Sequence, residues 1–418
     1  MVGRAMLFLA LAGLLSSGIY LALAVLAAMR FRFALRKTTA SGDRDLAFPP
    51  VTVLKPLHGM EPLMEKRLES FFRQDYPNFE LIFGARYGSD PALKVVDALR
   101  QKYSGIRTRV ILSGEPACPN AKVHTLGKMV AAASYPDLVI TDSDVQVAAD
   151  FLRQVVRPLR DANVGLVTCI YRGVPTGGLW SLLEALGMSV EMTSGVLVAE
   201  WLEGMKFALG PAMATRKDVL AKLGGIEVLG TYCSDDFVLG QLAYAAGKKV
   251  VLSHHVIDHV VLNRSARTSW LHQVRWMKST RFSRPLGHVG TAMTFAMPFG
   301  LLGMVAGWAT GSWTLGFGLL GLAVLNRVVQ SIAVGWGVVR DARSLWFCWL
   351  YPARDLLGFL LWCASFLGTE IVWRGERYQL GAGGKMTRKF APPSSTPKPE
   401  EAAAQGSSLP SVTVNHLP

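Results

Sequence analysis

Hydrophobic and polar positions fall along the chain in two patterns. Continuous apolar blocks occupy the two ends, whereas short apolar runs alternate with amphipathic segments between them. Residues 6–29 carry no charge and are long enough to cross about 30 Å of hydrocarbon at about 1.5 Å per residue. After Arg284 no Asp, Glu, Lys or Arg occurs before Arg327. That interval predicts one span at 293–310, broken by Gly311-Ser312, and the start of a second at 313–339. A third apolar stretch, 344–373, is interrupted by Pro352, Arg354 and Asp355, which suits a hairpin or an interfacial segment. From Ala391 onwards Pro, Ser, Ala and Glu dominate, and 391–418 is expected to be a disordered tail.

The middle, 45–285, has a different grammar. Apolar runs at 51–57, 79–86, 109–112 and 137–141 predict buried strands. Between them, Met64, Leu68, Phe71 and Phe72 repeat at helical spacing behind Pro62, and 91–103 and 122–133 also predict helices. Alternating strands and helices imply an α/β domain with a mainly parallel sheet, whose ligands bind beyond the carboxyl ends of the strands.

Charge adds orientation. Arg30, Arg32, Arg36 and Lys37 follow the first apolar block, which makes 1–30 a transmembrane signal anchor rather than a cleaved signal peptide and places the next segment in the cytoplasm. The basic residues Arg374, Arg377, Lys385, Arg388 and Lys389 argue for a cytoplasmic C-terminal tail as well. Three C-terminal spans would put that tail on the other side, so the number of spans within 290–373 stays open. Arg327 lies inside the second of these spans and is expected to face the helix bundle.

Over 418 residues, 44 Lys+Arg against 30 Asp+Glu give a net charge of +14, half the residues are hydrophobic, and the mean hydropathy is +0.29. This balance excludes a disordered or collagenous chain and favours phosphate-bearing partners. No helix-turn-helix, RNA-recognition or zinc-finger pattern supports nucleic acid as that partner. Five dispersed cysteines without a CxxC pair define neither a disulfide framework nor a zinc site.

Candidate chemistry lies at strand ends. Asp142-Ser143-Asp144 follows an apolar run, and two carboxylates around a small residue suit Mg²⁺ or Mn²⁺ shared with phosphate oxygens. Asp90 stands before Pro91 at a strand-to-helix junction, a position that an ordinary helix cap also explains. Asp235-Asp236 opens a helix at 237–246. One carboxylate suffices to cap it, so the second is a candidate general base. His272-Gln273-Val274-Arg275-Trp276 precedes the C-terminal apolar block and offers either a phosphate-binding arginine or an amphipathic interfacial helix. His254, His255 and His259 sit in a run that reads as strand, without the HExxH spacing of a metal helix.

Together and in this order, these motifs resemble the membrane-bound inverting glycosyltransferases of the GT-A fold. The likeness is strongest to ceramide glucosyltransferases and their bacterial relatives, including hopanoid-associated enzymes. It covers about 45–385. It is carried by Val53-Leu54-Lys55-Pro56-Leu57, Ser89-Asp90-Pro91, Asn120-Ala121-Lys122, Asp142-Ser143, Asp235-Asp236, Arg275-Trp276 and Trp373-Arg374-Gly375-Glu376-Arg377-Tyr378. The family pattern is three aspartates, then Gln or Arg, two residues, and Arg-Trp. The resemblance therefore implies donor binding by Asp90, Asp142, His272, Arg275 and Trp276, metal binding by Asp142 and Asp144, and a catalytic base at Asp236. It also implies a UDP-sugar donor, a membrane-lipid acceptor, and a multi-pass protein of a bacterial inner membrane with its catalytic domain in the cytoplasm.

Two departures bear on these roles. His272 replaces the family Gln/Arg, and Asp144 stands where eukaryotic ceramide enzymes carry glycine, which favours a bacterial subgroup. Ceramide with glucose and a hopanoid with N-acetylglucosamine are the two substrate pairs. Acceptor choice is expected to reside in 170–230, including Trp180, Glu191, Trp201 and Glu203. A non-catalytic, membrane-anchored nucleotide-binding protein is the alternative of another class, but it would not need a base beside the metal pair. A processive polysaccharide synthase would need more spans than this chain offers.

Overall fold

A computed structural model describes residues 1–40 and 48–389, apart from the side chains of 36–40. The expected tail at 391–418 and the side chains of Arg36 and Lys37 lie outside the described residues.

Eleven strands are described: β1 Val51–Pro56, β2 Phe79–Ala85, β3 Arg107–Leu112, β4 Asp137–Thr141, β5 Val145–Gln146, β6 Val164–Pro175, β7 Ala212–Arg216, β8 Lys249–Val261, β9 Glu370–Trp373, β10 Glu376–Leu380 and β11 Met386–Lys389. The first eight form one sheet in the order β3-β2-β1-β4-β7-β6-β8-β5. β3, β2, β1 and β4 run parallel, β7 runs antiparallel to both β4 and β6, and β6 pairs parallel with β8. β1 and β4 are buried along their whole length, which explains why they read as unbroken apolar runs. Helices Met64–Phe72, Ala92–Lys102 and Ala121–Ala132 provide the crossovers of the parallel half. From β1 the chain first winds through β2 to β3 and then returns to the opposite side of β1 as β4. The crevice between the ends of β1 and β4 is thus the topological switch point, where open α/β sheets bind ligands.

Among the described residues three helices are long and apolar enough to cross a membrane: Val2–Leu35, Leu179–Glu203 and Trp313–Trp336. A pair bent by 48°, Pro285–Thr294 and Met297–Ala309, would make a fourth. The expected apolar stretch at 344–373 is not one span. It divides into short turns, helix Tyr351–Ser365 and strand β9, which joins β10 and β11 in a separate antiparallel sheet. The C-terminal helical region therefore ends before β9, because 370–373 finds its partner in β10 rather than in another helix.

Arg327 faces the bundle interior as expected. Its guanidinium pairs with Asp355 at 2.9 Å, and Asp355 also accepts the backbone N–H of Ala296 and Met297, capping the start of helix Met297–Ala309. Glycines bring helices Met297–Ala309 and Trp313–Gln330 together, since a Cβ on Gly307 would lie 2.6 Å from the backbone of Gly316.

Candidate active site

The Asp142-Ser143-Asp144 turn leaves β4 at the switch point, and its backbone is strapped on every side. Lys55, buried in β1, donates to the Asp142 carbonyl at 2.6 Å, Arg67 Nε donates to the Ser143 carbonyl at 3.1 Å, and the Val260 N–H donates to the Asp144 carbonyl at 2.9 Å. Arg67 is held in turn by Glu61, at 2.6 Å, and by the Pro62 carbonyl. Burial pulls the Lys55 ammonium down to a pKa of about 7, against the opposing pull of Asp144 and Asp142.

The two carboxylates of the turn meet different partners. Asp142 Oδ1 lies 2.7 Å from Lys122 Nζ, and Asp144 Oδ2 lies 3.1 Å from His259 Nε2 on β8. Burial disfavours the Asp144 carboxylate, but His259 outweighs it and holds the pKa below the usual carboxylate range. Burial likewise opposes charge on His259, and Asp144 outweighs it, raising that pKa.

Lys122 is the centre of the site. It also lies 3.6 Å from Asp235 Oδ2, so one ammonium bridges the end of β4 and the start of helix Asp235–Ala245. Burial works against its charge, yet Asp142 and Asp235 prevail and push its pKa above the lysine range. Asn120 places it there. Asn120 Oδ1 caps helix Ala121–Ala132 by accepting the Val123 N–H at 3.2 Å, while its amide donates to the Tyr232 carbonyl at 2.9 Å and to Asp235 Oδ1 at 3.3 Å.

Asp236 points to the neighbouring loop, where its Oδ2 accepts the Gly210 N–H at 2.5 Å. The next carbonyl, that of Pro211, accepts the Asp142 N–H at 3.2 Å, so one dipeptide sets the spacing of both aspartates. Burial and the Asp235 charge raise the Asp236 pKa to about 6, with Lys122 opposing them. A carboxylate poised there is ionised at neutral pH and basic enough to accept a hydroxyl proton in a transition state.

Asp90 fills the capping role and also ties in a neighbouring loop. Its carboxylate accepts the Ala92 N–H at 2.9 Å, capping its helix, and the Gly59 N–H at 3.0 Å, tying in the loop after β1. Beside that loop, a cavity is lined by Leu57, His58, Arg86, Lys122, Trp373 and Arg374, among others. Arg275 and Trp276 are not among its lining residues; Arg275 approaches it through Trp373, with its guanidinium 5.6 Å from the centre of that ring. Trp276 lies between two imidazoles, 6.2 Å from His259 and 4.4 Å from His272. His272 itself is turned onto buried Glu184 at 2.7 Å and is not among the residues lining the cavity.

Among the described residues no three His, Cys, Asp or Glu side chains gather to hold a metal by themselves. One atom nevertheless fits a cation: Asp144 Oδ1 is buried and has no hydrogen-bond partner. A hard divalent ion that takes one or two protein carboxylates and fills its sphere with phosphate oxygens and water matches such a site.

Lys122, Lys55 and Arg67 carry much of this electrostatic frame, and sequence reasoning assigned them no role. The signal for Lys122 was its place two residues after a helix-capping Asn at the mouth of the switch point.

A doubly wound sheet with carboxylates and a lysine at its switch point matches a glycosyltransferase of the GT-A type. The model of glycosyl transferase family 21 matches residues 14–386, and the chain belongs to that family of glycosyltransferases. It is 24% identical over 366 residues to ceramide glucosyltransferase 1 of Caenorhabditis elegans, spanning 85% of this chain and 77% of that protein. A ceramide glucosyltransferase of Komagataella phaffii is 38% identical over 137 residues, 31% of this chain and 25% of that one. Among solved structures, a mannosyltransferase from Pyrobaculum calidifontis in complex with GDP-Man and Mn²⁺ is 18% identical, with a TM-score of 0.44 over 84% of this chain and 99% of that chain.

Proposed function

We propose that this glycosyltransferase moves glucose from UDP-glucose to the hydroxyl of a ceramide-type membrane lipid, with inversion at the sugar. The arrangement of Asp236 beside the Lys122-centred carboxylates, with Lys122 also lining the cavity next to the loop after β1, is the observation that carries this reading. The relatives named ceramide glucosyltransferase support the lipid acceptor.

In this reading the loops after β1 and β2, held by Asp90, receive the nucleoside, and Arg275 and Lys122 face the diphosphate. Asp142 and Asp144 would hold Mg²⁺ or Mn²⁺, which when bound supplies positive charge against the departing diphosphate. The lipid hydroxyl oxygen attacks C1 from the face opposite the diphosphate, and Asp236 takes its proton as the new C1–O bond forms. The old C1–O bond breaks and its electron pair leaves with UDP. The catalytic domain, 45–285, would lie in the cytoplasm of a bacterial cell against the inner membrane, anchored by 1–30 and by the helices after 290. Apolar helices beside the switch point would present the acceptor while the polar donor arrives from water.

Lipid extracts from cells with and without the protein, analysed by mass spectrometry, test the proposal. A hexosylceramide that appears only with the protein is expected. Asp144, where glycine stands in eukaryotic ceramide enzymes, gives the hopanoid reading its one specific support, and a glycosylated hopanoid in its place would favour that acceptor.

A further inference from the structure

The three-stranded sheet of β9, β10 and β11 is not spent by the roles assigned above. Its backbone is bonded to the segment that leads into the catalytic aspartates: the Met386 N–H donates to the Thr231 carbonyl at 2.7 Å, and the Cys233 N–H donates to the Gly384 carbonyl at 3.0 Å. The sheet is therefore a fixed part of the site. Trp373 pairs with Glu376 across β9 and β10, which leaves Arg374-Gly375 as a two-residue turn. Both turn residues have positive φ, +51° for Arg374 and +81° for Gly375. Tight hairpins of this kind favour Asn, Asp or Gly at the first position, and an arginine there is strained. Strain at a ligand-lining position is a pointer to use.

The other cations of the cavity already have carboxylates. Lys122 has Asp142 and Asp235, and Arg86 has Glu376 at 4.0 Å. Glu376 is held further by Arg388 at 2.6 Å and by the Tyr378 hydroxyl at 2.5 Å. The Arg374 guanidinium, exposed on the cavity wall, makes no hydrogen bond or ion pair with any described residue. Arg275 stands over the ring of Trp373, the residue before Arg374, and Trp373, Arg374 and Lys122 line the same cavity. The charge of Arg374 is felt at His58, which lines the same cavity, and at Arg275. A dianionic group is what such a roof would neutralise, and planar guanidinium is suited to grip two phosphate oxygens at once.

We propose that the β9–β10 hairpin roofs the nucleotide cavity and that Arg374 binds the diphosphate of the donor. This rests on the reading of the cavity as a nucleotide-sugar site.

The test measures binding of UDP and of uridine to the full-length protein in nanodiscs, in Mn²⁺ buffer, by calorimetry. Wild type, Arg374→Ala and Arg374→Lys are compared, with thermal melting as the check of folding, which an exposed turn side chain should leave unmoved. Arg374→Ala should weaken UDP by roughly 10- to 100-fold, as expected for one charge-assisted contact, with uridine unchanged within about twofold. Lysine should restore part of the loss. Equal losses for UDP and uridine would assign Arg374 to the nucleoside and overturn the proposal, as would UDP binding insensitive to either variant. If UDP binding depends on Arg374 but no lipid acquires sugar, the roof stands and the acceptor assignment fails. A wild type without affinity for UDP would overturn both.

Discussion

Replacing Lys122 with methionine keeps most of the side-chain volume and removes the one ammonium that Asp142 and Asp235 share. The Lys122 side chain is 9% exposed and that of Asp142 29%, so the pair is largely but not wholly withdrawn from water. Breaking a fully buried pair by deleting one partner costs about 3–5 kcal/mol, and the partial exposure of Asp142 puts this case near about 3 kcal/mol. The variant should melt measurably lower. Its effect on chemistry should be more specific. Lys122 opposes the rise of the Asp236 pKa, so its removal should carry the acid limb of the pH–rate profile above the native value of about 6. Diphosphate affinity should fall as well, by about tenfold for each 1.4 kcal/mol of lost attraction. The assay is sugar transfer in nanodiscs from pH 5 to 8, with UDP titration and melting alongside, and with Lys122→Arg as the charge-preserving control. A methionine variant whose acid limb stays at or below pH 6, with native UDP affinity, would refute the central place given to Lys122.

The wild-type enzyme should itself lose kcat below about pH 6, roughly tenfold per unit, because Asp236 is raised from the usual carboxylate value and its protonated form accepts no proton. A profile flat down to pH 5 would contradict this. Gly210→Ala would set a Cβ 2.9 Å from Asp236 Oδ2, and the displaced base should lower kcat by about 10- to 100-fold while UDP binding stays native. Chelation should abolish transfer, with Mn²⁺ or Mg²⁺ restoring it. Full turnover in excess EDTA would exclude the cation assigned to Asp142 and Asp144.

Most of the parallel half of the sheet was legible because its strands are buried on both faces. The runs expected at 51–57, 79–86 and 137–141 match β1, β2 and β4 to within a residue. The strand reading of 254–259 also holds, since these residues lie inside β8. What escaped depends on contacts between distant segments. Trp373 looked like the end of an apolar span, yet its neighbours alternate between buried and exposed only because β10 pairs with them. Helix Leu179–Glu203 is apolar enough for a membrane, but most of it is covered by protein, and no local pattern distinguishes those cases. Lys55 and Arg67 are fully buried cations, a state that sequence disfavours until the carbonyls of Asp142 and Ser143 are seen to receive them. Asp90, Asp142 and Asp144 were visible as candidates from their positions after strands, and Asp235-Asp236 from its place at a helix start. The partner each one takes was not, because Lys122 and His259 arrive from other elements.

The central claim is that Asp236 takes the acceptor's proton during attack on the sugar. Its most direct test measures turnover and UDP binding together for Asp236→Asn, in nanodiscs containing ceramide and UDP-glucose. Asparagine keeps the shape but cannot act as the base, so kcat should fall by on the order of 10²–10⁴-fold with UDP affinity close to native. Near-native turnover would contradict the assignment outright. Loss of UDP binding in place of turnover would move this carboxylate into the donor site and leave the acceptor's proton to another group.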